Sequence, residues 1–91
     1  MPMHPVTTIH LTSHFKKSFK KLSRHLQEKA VEKDTLFRID CFDPCLDTHK
    51  LGGELSGYWS YSVDYHYRVK FRFIKDHEVI YFNIGTHEIY R

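Results

Sequence analysis

Eight histidines among 91 residues raise the possibility of proton-transfer chemistry, because imidazole titrates close enough to neutrality to give or take a proton under ordinary conditions. His87 lies in the ending Asn83-Ile84-Gly85-Thr86-His87-Glu88-Ile89-Tyr90-Arg91, where a glycine turn, a histidine, a tyrosine and an arginine follow an apolar run. His49 lies in a stretch that also holds Gly52, Gly53 and Gly57, and His66 precedes Tyr67-Arg68. Arg68 offers a planar fork that donates two hydrogen bonds to phosphate oxygens, a geometry that lysine holds less well. If this surface binds RNA, these groups suffice for cleavage without a metal. The ribose 2′-OH serves as internal nucleophile, one group takes its proton, a cation stabilises the charge gathering on phosphorus, and another group protonates the leaving 5′-oxygen. Tyr58, Trp59, Tyr61 and Tyr90 can stack on splayed bases. Trp59 and Tyr61 equally suit a core, and a histidine taken singly is more often a surface residue.

A metal site is the competing chemistry. Cys41, Cys45 and His49 recur every four residues, which would align three ligands on a continuous helix, and a catalytic zinc can use three protein ligands. Pro44 interrupts that helix, and a Cys-x3-Cys without a second pair is a poor zinc signature. No metal and no cofactor are expected. The sequence holds no phosphate-binding glycine motif, no GxSxG elbow and no HExxH.

The elements that must position these residues follow from periodicity. Val6 to Thr12 is rich in β-branched residues and reads as an opening strand. Thr12 or Ser13 can cap a helix in which Phe15, Phe19, Leu22 and Leu26 share one stripe. Lys16, Lys17, Lys20, Lys21 and Arg24 fall mainly off it, as a solvated face or as phosphate contacts. A break near Ser23 to His25 precedes a second helix carrying Leu26, Ala30, Phe37 and Cys41, expected to run to Asp43-Pro44. The glycine-bearing stretch 44–57 reads as a loop. Three strands follow, at 58–63, 67–73 and 79–84. In the middle one Tyr67, Val69, Phe71 and Phe73 face one way, and Arg68, Lys70 and Arg72 the other. Short connections make these strands antiparallel neighbours. The expected fold is α+β in the order β-α-α-β-β-β, an antiparallel sheet with two helices packed on one face.

Length and composition bound the function. A chain of 91 residues with 41% hydrophobic and 15% aromatic content is expected to be a single domain, residues 1–91, with one core. Its longest apolar runs are far short of the ~20 residues of a membrane span, and residues 1–12 lack the pattern of a signal peptide. A cytoplasmic location is expected, in keeping with only two cysteines, too few for a disulfide framework. The net charge of +3 is modest and by itself does not indicate nucleic acid. Its distribution is uneven: residues 1–33 carry a net +5, residues 34–57 a net −3 and residues 58–91 a net +1.

The ordering of elements, with Thr48-His49-Lys50-Leu51-Gly52-Gly53, Gly57-Tyr58-Trp59, Tyr67-Arg68-Val69 and the Gly85-Thr86-His87 ending, resembles the RelE/ParE superfamily of bacterial toxins from toxin-antitoxin systems, over nearly the whole chain. It looks closest to the RelE/StbE and YafQ-like branches. The resemblance implies a RelE-like fold and an endoribonuclease that cuts messenger RNA in the ribosomal A site and is silenced by a cognate antitoxin, with no small-molecule cofactor. His49 and His87 match the loop and terminal histidines of the YafQ-like branch, and Arg68 matches the strand arginine that RelE-type toxins use on the scissile phosphate. Tyr90 lies close to their C-terminal tyrosine, and His66 stands where the YafQ-like branch has an aspartate. Lys16, Lys17, Lys20, Lys21, Arg24, Trp59, Tyr61, Lys70, Arg72 and Arg91 are then the expected RNA contacts. Two departures stand out: RelE has strand lysines at the positions of Trp59 and Tyr61, and YafQ-like members have an arginine at that of Asn83. Two other functions share the resemblance, a ParE-like toxin that binds DNA gyrase without catalysis and a degenerate toxin that only binds its antitoxin.

Overall fold

A computed structural model describes residues 3–90, apart from the side chains of His87 and Glu88. The opening strand β1 (Thr8–Leu11) passes directly into helix α1 (Ser13–Lys20). Thr12 marks the junction, since its Oγ1 accepts the Phe15 N–H at 3.1 Å as N-cap and donates to the Tyr81 carbonyl at 3.0 Å. Ser23 then caps α2 (Arg24–Ile39) through the Leu26 N–H at 3.3 Å, so the expected helix break falls where a short hydroxyl can satisfy an orphan N–H. The second helix stops at Ile39, four residues short of Asp43. The reason lies in Asp40, which is extended (φ −156°, ψ 103°). Its Oδ1 accepts the N–H groups of His4 and Phe42 at 3.2 and 3.1 Å, a side-chain competitor to helical bonding.

The stretch expected to be loop contains a short strand, β2 (His49–Lys50), between two 3₁₀ turns at Pro44–Leu46 and Gly53–Leu55. Strands β3 (Trp59–Ser62), β4 (Arg68–Lys75) and β5 (Glu78–Gly85) follow, and the chain closes on a 3₁₀ turn at His87–Tyr90. The sheet order is β1-β5-β4-β3-β2. Antiparallel pairing holds from β2 through β5, while β1 lies parallel to β5 with Thr8 opposite Glu78. The sheet is therefore mixed. The helical crossover between β1 and the remaining strands is what allows a parallel neighbour.

Alternation divides the sheet into two faces. Val69, Phe71, Val79, Tyr81 and Tyr61 are buried beneath the helices. Phe37 of α2 is wholly buried and meets the rings of Tyr61, Phe71 and Tyr81 at 4.6, 4.9 and 5.8 Å. A polar chain threads this core: the Tyr61 hydroxyl donates to that of Tyr81 at 3.0 Å, and Tyr81 donates to Asp34 at 2.7 Å. Arg38 closes it with an Nε–H bond to Asp34 at 2.9 Å. Burial raises both phenols well above their ordinary pKa and keeps them neutral. The opposite face carries Arg68, Lys70 and Arg72; among the described residues neither α1 nor α2 lies over it, and the terminal turn reaches it at Ser60. No helix among the described residues is long and apolar enough to cross a membrane.

Candidate functional site

The candidate site assembles around Arg68, the first residue of β4, on the face away from the helices. Its side chain is only 15% exposed because every nitrogen of the fork is engaged. Nε donates to Ser60 Oγ at 2.9 Å, Nη1 to the Asp47 carboxylate at 3.3 Å and Nη2 to the Asp47 carbonyl at 2.8 Å. Nη2 also lies 3.2 Å from His49 Nδ1. Ser60 is fully buried on β3, and its hydroxyl accepts a second hydrogen bond, from Tyr90 at 3.0 Å. Arg68, His49 and Tyr90, separate in sequence, are thus joined through one serine and one loop.

Local geometry explains how they meet. The chain turns through Asp47 in the left-handed region (φ 47°), a conformation that aspartate tolerates better than most residues. Pairing of His49 with Ser60 across β2 and β3 then fixes the histidine over the same edge. At the other end, Gly85 sits opposite Arg68, and a Cβ there would stand 2.8 Å from the Ile89 Cγ2. Ile89 is buried. The missing side chain lets the terminal turn fold tightly back and bring Tyr90 to Ser60.

His49 has two proton arrangements available. With the proton on Nδ1 it donates to the Asp47 carbonyl at 3.0 Å and leaves Nε2 as a base. With Nδ1 bare it accepts from Arg68 at 3.2 Å and presents an N–H donor at Nε2. The ring is exposed, so Nε2 is free to exchange a proton with a ligand. The Asp47 carboxylate, itself 74% exposed, occupies part of the fork that a phosphate would use. Hydration of the exposed carboxylate weakens the pair, so an incoming anion can displace it.

The other expected site residues distribute differently. His66 lies exposed in the β3–β4 turn, its ring edge-on to Tyr65 at 4.9 Å, and no described hydrogen bond joins it to the Arg68 cluster. The His87 side chain and Arg91 lie outside the described residues. Tyr61 is corrected from RNA contact to core: it is 1% exposed and opposite Val69, so no base can reach its ring. Trp59 shares that face, half-buried against Phe42, Phe71 and Phe73, with Lys50 Nζ 5.4 Å from its ring centroid. Lys70 and Arg72 do extend from Arg68 along the open face. Lys16, Lys17, Lys20, Lys21 and Arg24 are exposed in the helical layer, on the far side of the sheet, and Arg24 pairs with Glu28 at 3.3 Å. Cys41 is buried and Cys45 exposed. Among the described residues no group of His, Cys, Asp and Glu could hold a metal ion.

Ser60 and Asp47 are the participants that sequence reading missed, while Tyr58, expected to stack on bases, lies on the same face with Lys70 Nζ 5.2 Å from its ring centroid. The signal for Ser60 was parity: antiparallel pairing puts Ser60 opposite Lys70, so the even-numbered residues of β3 share the cationic face with Arg68.

No protein-family model and no curated protein matches the sequence. Solved structures do. The chain is similar to a YoeB/ParE toxin from Agrobacterium tumefaciens, with a TM-score of 0.74 at 15% identity, covering 89% of this chain and 99% of that one. It is similar to the E. coli DinJ-YafQ toxin-antitoxin complex (TM-score 0.72, 18% identity, 96% and 97% covered). It also resembles the toxin-antitoxin complex RelBE2 from Mycobacterium tuberculosis (TM-score 0.67, 22% identity, 88% and 96% covered). The fold is therefore one the chain shares with these toxin structures, two helices on a mixed five-stranded sheet.

Proposed function

We propose that this protein is the toxin of a toxin-antitoxin pair and that it cleaves messenger RNA on the ribosome. The observation that carries this reading is the convergence of Arg68, His49 and Tyr90 on Ser60 and the Asp47 loop. A pure binding surface has no need of an imidazole beside a phosphate-gripping guanidinium. The fold adds support, since toxins of known structure share it, two of them in complexes with antitoxins. A cognate antitoxin is the expected partner here as well.

In the proposed reaction the substrate phosphate takes the place of the Asp47 carboxylate on Arg68. His49 Nε2 accepts the 2′-OH proton as the 2′-oxygen bonds to phosphorus. The bond from phosphorus to the 5′-oxygen breaks, and His87 returns a proton to that oxygen, with His66 as the other imidazole available. Arg68 neutralises charge on the phosphoryl oxygens as it develops. Tyr90, held by Ser60, orients the adjoining nucleotide. Ribosomal RNA is expected to meet the Lys16–Arg24 row on the helical side, through phosphate neutralisation that weakens steeply with salt.

The test adds purified protein to a translating extract, maps mRNA ends and assays gyrase supercoiling in parallel. Codon-phased cuts that disappear in Arg68→Ala are the expected result. His49→Ala should lower cleavage by ~10²-fold or more if it carries a proton. Inhibited supercoiling without cuts would identify a gyrase-binding toxin instead, and silence in both a chain that only binds its antitoxin.

A further inference from the structure

The open face continues beyond Arg68. Strand β4 presents Arg68, Lys70 and Arg72 at alternate positions, a cationic row with a repeat of ~7 Å. Among the described residues neither Lys70 nor Arg72 has a carboxylate partner; both lean on an aromatic ring instead. Lys70 Nζ lies 5.2 Å and Arg72 Cζ 5.8 Å from the centroid of Tyr58, the residue just before β3 in the same parity as Ser60. Phe82 braces that ring edge-on at 5.1 Å and 76°. It does so because the β4–β5 register slips: Tyr81 faces Phe71 and Asn83 faces Lys70, which leaves Phe82 unpaired between them as a bulge. A half-buried ring with two cations on it therefore stands next along the sheet from a guanidinium suited to phosphate.

We infer that Tyr58, backed by Phe82, is a nucleobase-stacking subsite for single-stranded RNA, and that Lys70 and Arg72 bind the backbone phosphates flanking the one on Arg68. The inference rests on the proposed RNA substrate and names where its neighbouring nucleotide sits. The cations resting on the ring are no obstacle. Stacking of a base on an aromatic side chain is stronger than an exposed cation–π contact, so a nucleotide exchanges one for the other while its phosphates take up the released charges. A ligand that was merely acidic would use Lys70 and Arg72 and leave the ring idle.

The experiment measures binding of a fluorescent 2′-O-methyl hexaribonucleotide, which has no free 2′-OH to react, to the full chain at low salt. A matched strand with abasic positions serves as control. Tyr58→Ala should weaken binding of the base-bearing strand ~10-fold or more, Tyr58→Trp should retain it, and neither should change binding of the abasic strand. Tyr58→Leu, which keeps an apolar side chain against Phe82 without a π face, should bind as weakly as the alanine variant and guards against misfolding of the latter. Equal binding by wild type and Tyr58→Leu, or an equal loss on both strands, overturns the subsite and leaves an anion surface without base contacts. Base-dependent binding without ribosomal cleavage would sink the nuclease reading and leave the subsite standing; cleavage with base-independent binding would do the reverse.

Discussion

Ser60 is wholly buried and yet receives two hydrogen bonds from residues of the site, Arg68 Nε–H and the Tyr90 hydroxyl. In Ser60→Ala both donors lose their acceptor, and an unsatisfied buried donor costs ~1–3 kcal/mol. A lowered melting temperature with a larger fractional loss of cleavage is expected, because Arg68 and Tyr90 lose their common anchor. Asp47 predicts the opposite sign. Asp47→Asn keeps a side chain that tolerates the left-handed backbone at φ 47° and removes the negative charge 3.3 Å from Arg68. Binding of the hexaribonucleotide should tighten up to ~5-fold, the equivalent of an exposed ion pair; weaker binding would show that the carboxylate holds the fork in place rather than competing with substrate. The two cysteines should also separate chemically. Burial pushes the Cys41 thiol up to about 11, so at pH 8 it holds almost no thiolate, while Cys45 is exposed. Mass spectrometry after alkylation of the native protein should find the label on Cys45 alone.

Among the elements, the terminal turn depends most on one backbone position. Gly85→Ala would bring a methyl to 2.8 Å from the buried, β-branched Ile89, and the turn His87–Tyr90 must move. Cleavage should fall, with the melting temperature changed less than by Phe37→Ala, which empties the centre of the core at a cost of ~3–5 kcal/mol. Both helices and strands β1, β3, β4 and β5 were legible because β-branched residues and apolar periods mark them and Thr12 and Ser23 are good caps. Two features were not. The two residues of β2 are too few to show a period, and they exist as strand only because β3 pairs with them. The assignment of Trp59 and Tyr61 to the RNA surface followed aromatic type and the family's lysine positions. Pairing of Tyr61 with Val69 turned both to the core, and by the same parity gave the open face Tyr58 and Ser60.

For the whole molecule, three neutral buried groups weaken stability as the solution turns alkaline. The Cys41 thiol and the Tyr61 and Tyr81 phenols have folded pKa values raised from 9.0 and 10.0 by burial. Their contribution is therefore complete below about pH 9 and declines as the unfolded chain ionises, for Cys41 between 9.0 and about 11. Denaturant midpoints should be flat with respect to these groups from pH 7 to 8.5 and fall above that range. The distribution of charge has a second consequence. The helical row Lys16–Arg24 and the sheet row Arg68–Arg72 lie on opposite sides of the sheet, so one strand of RNA lying on the open face cannot engage both.

The sequence by itself determined the fold class and the cationic face of β4, because periods of 2 and 3.6 are local properties. The partners of Arg68 were decided in three dimensions. Which serine, which carboxylate and which aromatic ring share its surface depends on strand register, on a bulge at Phe82 and on a glycine that lets the last turn close, and these are set by the fit of the whole sheet against its helices.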